Sequence, residues 1–415
     1  MFDSALLSAI RERFCHVDHC PFQGPRIFFE NAGGALHLKS VVERSALLAA
    51  IPDNQGRDNP ASHALVAMIE QGKRDMRLFM GASQGQVFIG ESGTELLFRL
   101  VRNAAQAAPA GGRILGSTLE HPATASAGDQ WARATGRPYV RIVHDDDTGT
   151  VTADAYRAQV TPDTRVATVI HTSPVSGMSV DVGAVVRAIR SVAPDCLVIL
   201  DGIQHAAHGA LDIDSYDIDG YAISPYKVFS RHGYGVAWAS DRLTALPHER
   251  LNGSAPTQWD LGTRDTGAYA TFSDVVDYLR WLGGQTEGAI DPREQVLAAG
   301  RAISAHEAAL IALMRDGDAS QRGLAAMTRV KVIGGWDNPS REGLAAITVD
   351  GMPSVAVVNR LRESGIRVHL RKADHFSGNI LTPLGLDSCI RVSLAHYNSP
   401  DEVRRFLRVM DEMTA

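Results

Sequence analysis

Between residues 85 and 240 the chain alternates short, wholly apolar runs with stretches of helical period, and this pattern restricts the fold more than any other feature. Residues 86–90, 113–116, 139–143, 165–171, 196–200, 221–224 and 234–238 read as strands, while 94–107 and 182–192 read as helices. Strands that lack polar alternation cannot leave one face in water. Separated by helices, they form a mostly parallel sheet covered on both sides, an α/β architecture. In such sheets ligands sit at the carboxyl ends of the strands.

After about residue 265 the texture changes. Helical stretches at 270–282 and 292–315 lead into strand candidates at 330–334 and 343–349, then a helix at 354–363. A strand at 365–369, a polar loop, a strand at 390–394 and a helix from Pro400 close the chain. The pattern predicts a helical N-terminal segment, 1–25, packed on a smaller α+β domain, 266–415, beside a large domain, 26–265. Phe2, Leu6, Ile10 and Phe14 fall four apart, which gives that segment one apolar face.

Composition narrows the function classes. With 415 residues and 45% hydrophobic content there is material for a sizeable core. The net charge of −6 comes without a like-charge block, which argues against a nucleic-acid partner held by phosphate neutralisation. No uninterrupted apolar run approaches the roughly 18–20 residues of a spanning helix, so no membrane role is expected. Asp3 stands where a signal peptide would carry a basic residue, so the cytoplasm is the expected location. Cys15, Cys20, Cys196 and Cys389 are too few for a disulfide scaffold. The hexapeptide from Cys15 to Cys20 reads as a solvated connection rather than a metal site.

Chemistry concentrates at strand ends. Asp201 closes the apolar run 196–200, with Gln204 and His208 within seven residues, and Lys227 follows another short strand. A carboxylate at a buried strand tip is costly unless a cation pairs with it. An acid and a lysine on neighbouring strand ends suggest pyridoxal phosphate, whose ring nitrogen the acid would protonate and which the lysine would hold covalently. Ser92, Gly93 and Thr94 precede a helix, offering unpaired amides, a hydroxyl and a positive dipole end to a phosphate. Glu120-His121-Pro122 follows a strand and could lay an imidazole over a ring.

Taken together these fragments resemble the class V aminotransferase family, which includes the cysteine desulfurases. The likeness runs from about Phe28 to Leu407, through Glu30-Asn31-Ala32-Gly33, Ser92-Gly93-Thr94-Glu95, Glu120-His121 and the segment 171–177. It continues through 201–208, Ser224-Pro225-Tyr226-Lys227, Gly262-Thr263 and 391–398. The resemblance implies the fold type I of pyridoxal-phosphate enzymes, a homodimer, and an amino-acid substrate. It implies that Lys227 carries the cofactor and shuttles protons, Asp201 pairs with the ring nitrogen, Gln204 bonds its phenolic oxygen and His121 stacks on it. Thr94 and Ser224, with Ser92, Gly93 and Tyr226, would complete the cofactor site, and Thr263 would arrive from a second subunit. Asn31 and Arg391 would meet the substrate, the arginine gripping its carboxylate.

Two departures qualify this. Pro174 stands where the family usually places an asparagine. The loop 370–379, where a desulfurase carries its nucleophilic cysteine, contains none. Desulfurase-like or carbon–sulfur β-eliminating lyase chemistry is the expectation, with transamination or epimerisation as the alternative and a non-catalytic cofactor-binding protein as the rival class. Cys389, which shares a strand face with Arg391, is the one replacement thiol in view, and His375 is a loop acid or base candidate.

Overall fold

A computed structural model describes residues 1–256 and 258–415. The apolar runs assemble into one seven-stranded sheet. Its order is Gln86–Gly90, Gly235–Ala239, Gly220–Ile223, Leu197–Asp201, Thr164–Ile170, Arg113–Ser117 and Tyr139–Ile142. Every pairing is parallel except the two made by Gly235–Ala239. Alternate residues of each strand enter opposite cores. Leu197 and Ile199 join Leu96, Leu97 and Leu100 of the helix Gly93–Ala107, while Val198 and Leu200 join Val185, Val186 and Ile189 of Val182–Val192. Both faces are therefore dry, which is why the strands show no polar alternation. Each such buried side chain contributes roughly 1.5–3 kcal/mol.

A second, antiparallel sheet runs Val330–Val332, Leu344–Val349, Ser388–Ser393 and His369–Lys372. Helices Ser354–Glu363 and Pro400–Thr414 cover it, packing Val357, Leu361, Phe406 and Leu407 on Ile347, Ile390 and Val392. Ser399 and Glu402 cap the closing helix reciprocally.

The structure alters three readings. The strand expected at 365–369 is two short strands. Ile366–Arg367 pairs with Ile27–Phe28, and His369–Lys372 pairs with Ser388–Ser393. Its second half reads as loop because it is an edge strand whose side chains are mostly half-buried. The helix Thr266–Glu287, assigned to the smaller unit, packs on Lys39–Ala49 and Pro60–Met80 of the larger one. Gly72 permits that approach, since a Cβ there would lie 2.6 Å from Tyr269 Cβ. The helix Pro292–Asp316 is long and apolar enough on average to cross a membrane, but it lies along Thr266–Glu287 and buries Ile303, Leu310 and Met314.

The N-terminal helix Ser4–Arg11 is capped by Asp3, whose side chain accepts from the Leu6 amide. Arg11 reaches the Tyr397 carbonyl and Glu402, and Phe2 stacks on His306. Phe14 inserts among Phe229, Tyr278 and Tyr397, tying the segment to both units.

Candidate active site

Three strand ends build one cleft. Leu197–Asp201 terminates in Asp201, whose partner in register is Ala222, and Gly220–Ile223 runs on into the turn Pro225–Lys227. Asp201 and Lys227 thus share adjacent strand ends. Gln86–Gly90 feeds the helix Gly93–Ala107, although a strand separates it from Gly220–Ile223. Two glycines close that gap. A Cβ on Gly235 would lie 2.4 Å from the Ser92 carbonyl carbon, and one on Gly93 would lie 2.5 Å from Ser224 Oγ. Their absence lets the helix start press against the Ser224 turn. Asp201, Gln204, Tyr226 and Lys227 line the cleft, and Thr94, His121 and Ser224 complete its wall.

The side chains are held tightly. Asp201 Oδ2 accepts from the Thr124 hydroxyl at 2.8 Å, and Oδ1 accepts from the Ile203 amide at 3.1 Å. Lys227 Nζ donates to Gln204 Oε1 at 3.0 Å. Burial, with help from the Arg391 charge, pulls the Lys227 amine down to about 7 against the opposing pull of Asp201. Burial and the Asp201 charge push the neighbouring Glu120 up to about 8, so it stays neutral at pH 7. Burial holds the His121 imidazole below its ordinary value, and Nδ1 accepts the Ala123 amide as a helix cap. Tyr226 stacks on His232 with ring centres 4.3 Å apart.

Arg391 is 2% exposed, on the strand Ser388–Ser393. Its Nη1 donates to the Pro174 carbonyl at 2.9 Å, Nε has no partner, and no carboxylate pairs with it among the described residues. Burial, then the charge of Arg371, lowers its pKa to about 9. A buried guanidinium is costly to keep charged unless an anion pairs with it.

Other expected residues have partners or positions of their own. Ser92 accepts the Glu95 amide as a helix cap through its hydroxyl oxygen, which leaves the hydroxyl proton able to donate. Asn31 gives its amide nitrogen to the Phe28 and Ser393 carbonyls and takes a bond from the Tyr397 hydroxyl. It clamps the N-terminal segment to the C-terminal strand. Thr263 is exposed, away from the residues that line the cleft of its own chain. Sequence reasoning missed Thr124, which carries no signal beyond its place two residues after a helix-starting proline. It noted Pro174 but not that its carbonyl accepts from Arg391, and it missed Arg371, which sits in what reads as a loop.

Cys389 is buried, opposite Arg371 in register, and burial pushes its thiol up to about 12. Such a thiol holds almost no thiolate at neutral pH. The segment after His369–Lys372 brings Phe376 within 6.4 Å of the His121 ring, while Asn379 donates to the Thr118 carbonyl.

Residues 27–284 and 299–406 match the family model described as aminotransferase class-V. The chain is 28% identical to the cysteine desulfurase-like protein ustD of Aspergillus flavus, over 94% of this chain and 88% of that one. It is 26% identical to the nonribosomal peptide synthetase-like enzyme fsqF of Aspergillus fumigatus, covering 97% of this chain but only 26% of that much longer protein. The crystal structure of the cysteine desulfurase CsdA from Escherichia coli superposes with a TM-score of 0.80 at 21% identity, covering all of both chains. That likeness is one of fold.

Proposed function

The chain belongs to the aminotransferase class-V family of pyridoxal-phosphate-dependent enzymes, and on that premise we propose that it acts on a small α-amino acid by desulfurase-like or carbon–sulfur β-eliminating lyase chemistry. The observation that carries this reading is the buried Lys227 amine, tuned to about 7, one strand from the Asp201 carboxylate. The donor set suits the cofactor. Thr94, Ser224 and the helix start beside the Cβ-free Gly93 suit its phosphate, Asp201 its ring nitrogen, His121 its ring face and Lys227 its aldehyde. Bound pyridoxal phosphate supplies an electron sink that lets a bond at the substrate α-carbon break heterolytically.

The chain's own groups then have defined tasks. Asp201, fixed by Thr124 and Ile203, holds a proton at the ring nitrogen. Arg391 would take the substrate carboxylate in its planar fork and so orient the α-carbon. Lys227, once its amine is free, removes and returns the α-proton; near pH 7 it is about half unprotonated. Glu120 stays neutral and adds no competing anion beside Asp201. The desulfurase loop brings no thiol, and Cys389 is buried and protonated, so a persulfide route lacks its nucleophile. We include in this reading a cytoplasmic homodimer in which Thr263 completes the neighbouring subunit's phosphate site.

A panel of amino acids assayed together for keto acid, sulfide and amination of the cofactor tests the proposal. Keto acid formed with release of a β-substituent is expected. Accumulation of aminated cofactor would make the protein a transaminase, and no product from any amino acid would make it a cofactor-binding protein without catalysis.

A further inference from the structure

The face of the second sheet that meets the cleft carries two guanidinium groups. His369 pairs in register with Arg391, and Arg371 with Cys389, so all four side chains leave the sheet on one face. Arg391 sets that face against the cleft through Pro174, which helps to line it. Arg371 and Arg391 are diagonal neighbours, roughly 7–8 Å apart at their bases, a gap that long side chains span.

Arg371 is half-buried and sparsely bonded. Its Nη2 donates to the Phe376 carbonyl at 3.1 Å, the only hydrogen bond of its guanidinium among the described residues, and Nε is closed to solvent without a partner. Its charge meets no carboxylate among those residues either. Asp374 turns Oδ1 to the Phe376 amide, and Glu30 is taken by Arg367 and His369. The charge nevertheless reaches the cleft. After burial, it is among the influences that depress the pKa values of Arg391, Lys227 and His121.

Charge in the cleft has to balance. Asp201, held by Thr124 and Ile203, suits the ring nitrogen of the cofactor, and Thr94 and Ser224 suit its phosphate. Arg391 and Arg371 are left to the substrate, two fixed positive charges against one α-carboxylate. A guanidinium held away from bulk water is costly to keep charged until an anion pairs with it, and its planar fork fits an oxyanion.

We propose that Arg371 is a specificity-determining residue that binds an oxyanion at the end of the substrate's side chain, so that the preferred amino acids carry a second negative group two or three bonds from the α-carbon. Arg391, 2% exposed, anchors the α-carboxylate. Arg371, more open to water, takes the second group because the first has already brought it there. A monocarboxylate therefore gains little from Arg371.

This rests on the proposed amino-acid chemistry, with the α-carboxylate at Arg391, and the test separates the two. Cofactor-free full chain is titrated by calorimetry at neutral pH with propionate, succinate, glutarate and 3-sulfopropionate. At least one of the three dianions should bind about tenfold more tightly than propionate, and the tighter of carboxylate and sulfonate names the group recognised. The monomethyl ester of the tighter diacid, similar in length but singly charged, should fall back to the affinity of propionate. In Arg371→Gln the dianions should lose their advantage while propionate stays within about threefold, and Arg371→Lys should keep part of it. Dianions no tighter than propionate, a monoester that matches its diacid, or an advantage that survives Arg371→Gln would overturn the proposal. Propionate binding that still requires Arg391 would then leave the amino-acid reading standing. Should the variants fail to fold, the comparison of diacid with monoester on wild-type chain decides alone.

Discussion

Arg391 offers a test in which folding and binding should move in opposite directions. The side chain is 2% exposed, makes one hydrogen bond to the Pro174 carbonyl and leaves Nε unpartnered. Burial, then the charge of Arg371, pulls its pKa down to about 9, so keeping the charge there carries a standing cost of a few kcal/mol. The sign follows from linkage. The folded arginine binds its proton less tightly than the unfolded one, so the cost is fully present below about pH 9 and fades as pH climbs toward the ordinary arginine range. Arg391→Met removes the charge and keeps most of the volume, losing roughly 1 kcal/mol with the Pro174 bond. Unliganded variant should therefore melt a few degrees above wild type at pH 7, with the gap shrinking at high pH. Substrate binding should suffer. Two charge-assisted bonds to a carboxylate are worth roughly 1.5–3 kcal/mol each, so KM should rise by about 100-fold or more while the cofactor's visible band stays put. Thermal melts with and without propionate provide a parallel readout, since the carboxylate should stabilise wild type alone. An unchanged KM, or a variant clearly less stable than wild type, would make Arg391 a structural strut and refute the argument.

Three further outcomes are expected. Attachment of pyridoxal phosphate to the chain should accelerate as pH rises through about 7, where Lys227 loses its proton, and Lys227→Ala should lose the borohydride-reducible linkage altogether. Gly93→Ala places a Cβ 2.5 Å from Ser224 Oγ and 2.6 Å from Ile203 Cδ1, so it should weaken cofactor binding about tenfold in equilibrium titration while the fold survives. Cys389→Ala should keep activity within about twofold and lower stability by about 1 kcal/mol, a small cavity's worth; abolished activity would revive a persulfide mechanism.

The sheet was legible in the sequence because parallel strands buried on both faces must be apolar throughout, and 197–201 shows it in five consecutive buried residues. Pro60–Met80 was not, because Ser62, Gly72 and Asp75 interrupt its inward face, and Gly72 is there for Tyr269 rather than for the helix. Asp201, Lys227 and the helix start at Gly93 were legible since each closes a strand at its carboxyl end, where chemistry gathers. Arg391 could be named but not understood: nothing local marks an arginine 2% exposed with no carboxylate beside it. The contacts of Asn31 could not be read, because its partners, Ser393, Tyr397 and Asn398, lie more than 360 residues away. His208 and Glu307 are 99 residues apart, and the pairing exists only once the second unit docks on the first.

One coupling ties substrate capture to proton transfer. After burial, the Arg391 charge is the largest influence lowering the Lys227 pKa, ahead of the opposing Asp201. A carboxylate arriving at Arg391 cancels that charge, so binding should raise the proton affinity of the lysine at the moment an α-proton must be taken. The cofactor-free chain can show this directly. Cyanate labelling of Lys227 should have its pH midpoint raised by saturating propionate, because the amine then holds its proton more tightly. In Arg391→Met the midpoint should start higher and ignore propionate, since the cation that the carboxylate would neutralise is gone. If propionate moves the midpoint equally in both proteins, the carboxylate binds elsewhere and the two residues are not coupled. If it moves neither, while still stabilising wild type against heat, Arg391 binds the anion but its field does not reach the amine, and the depressed lysine owes everything to burial.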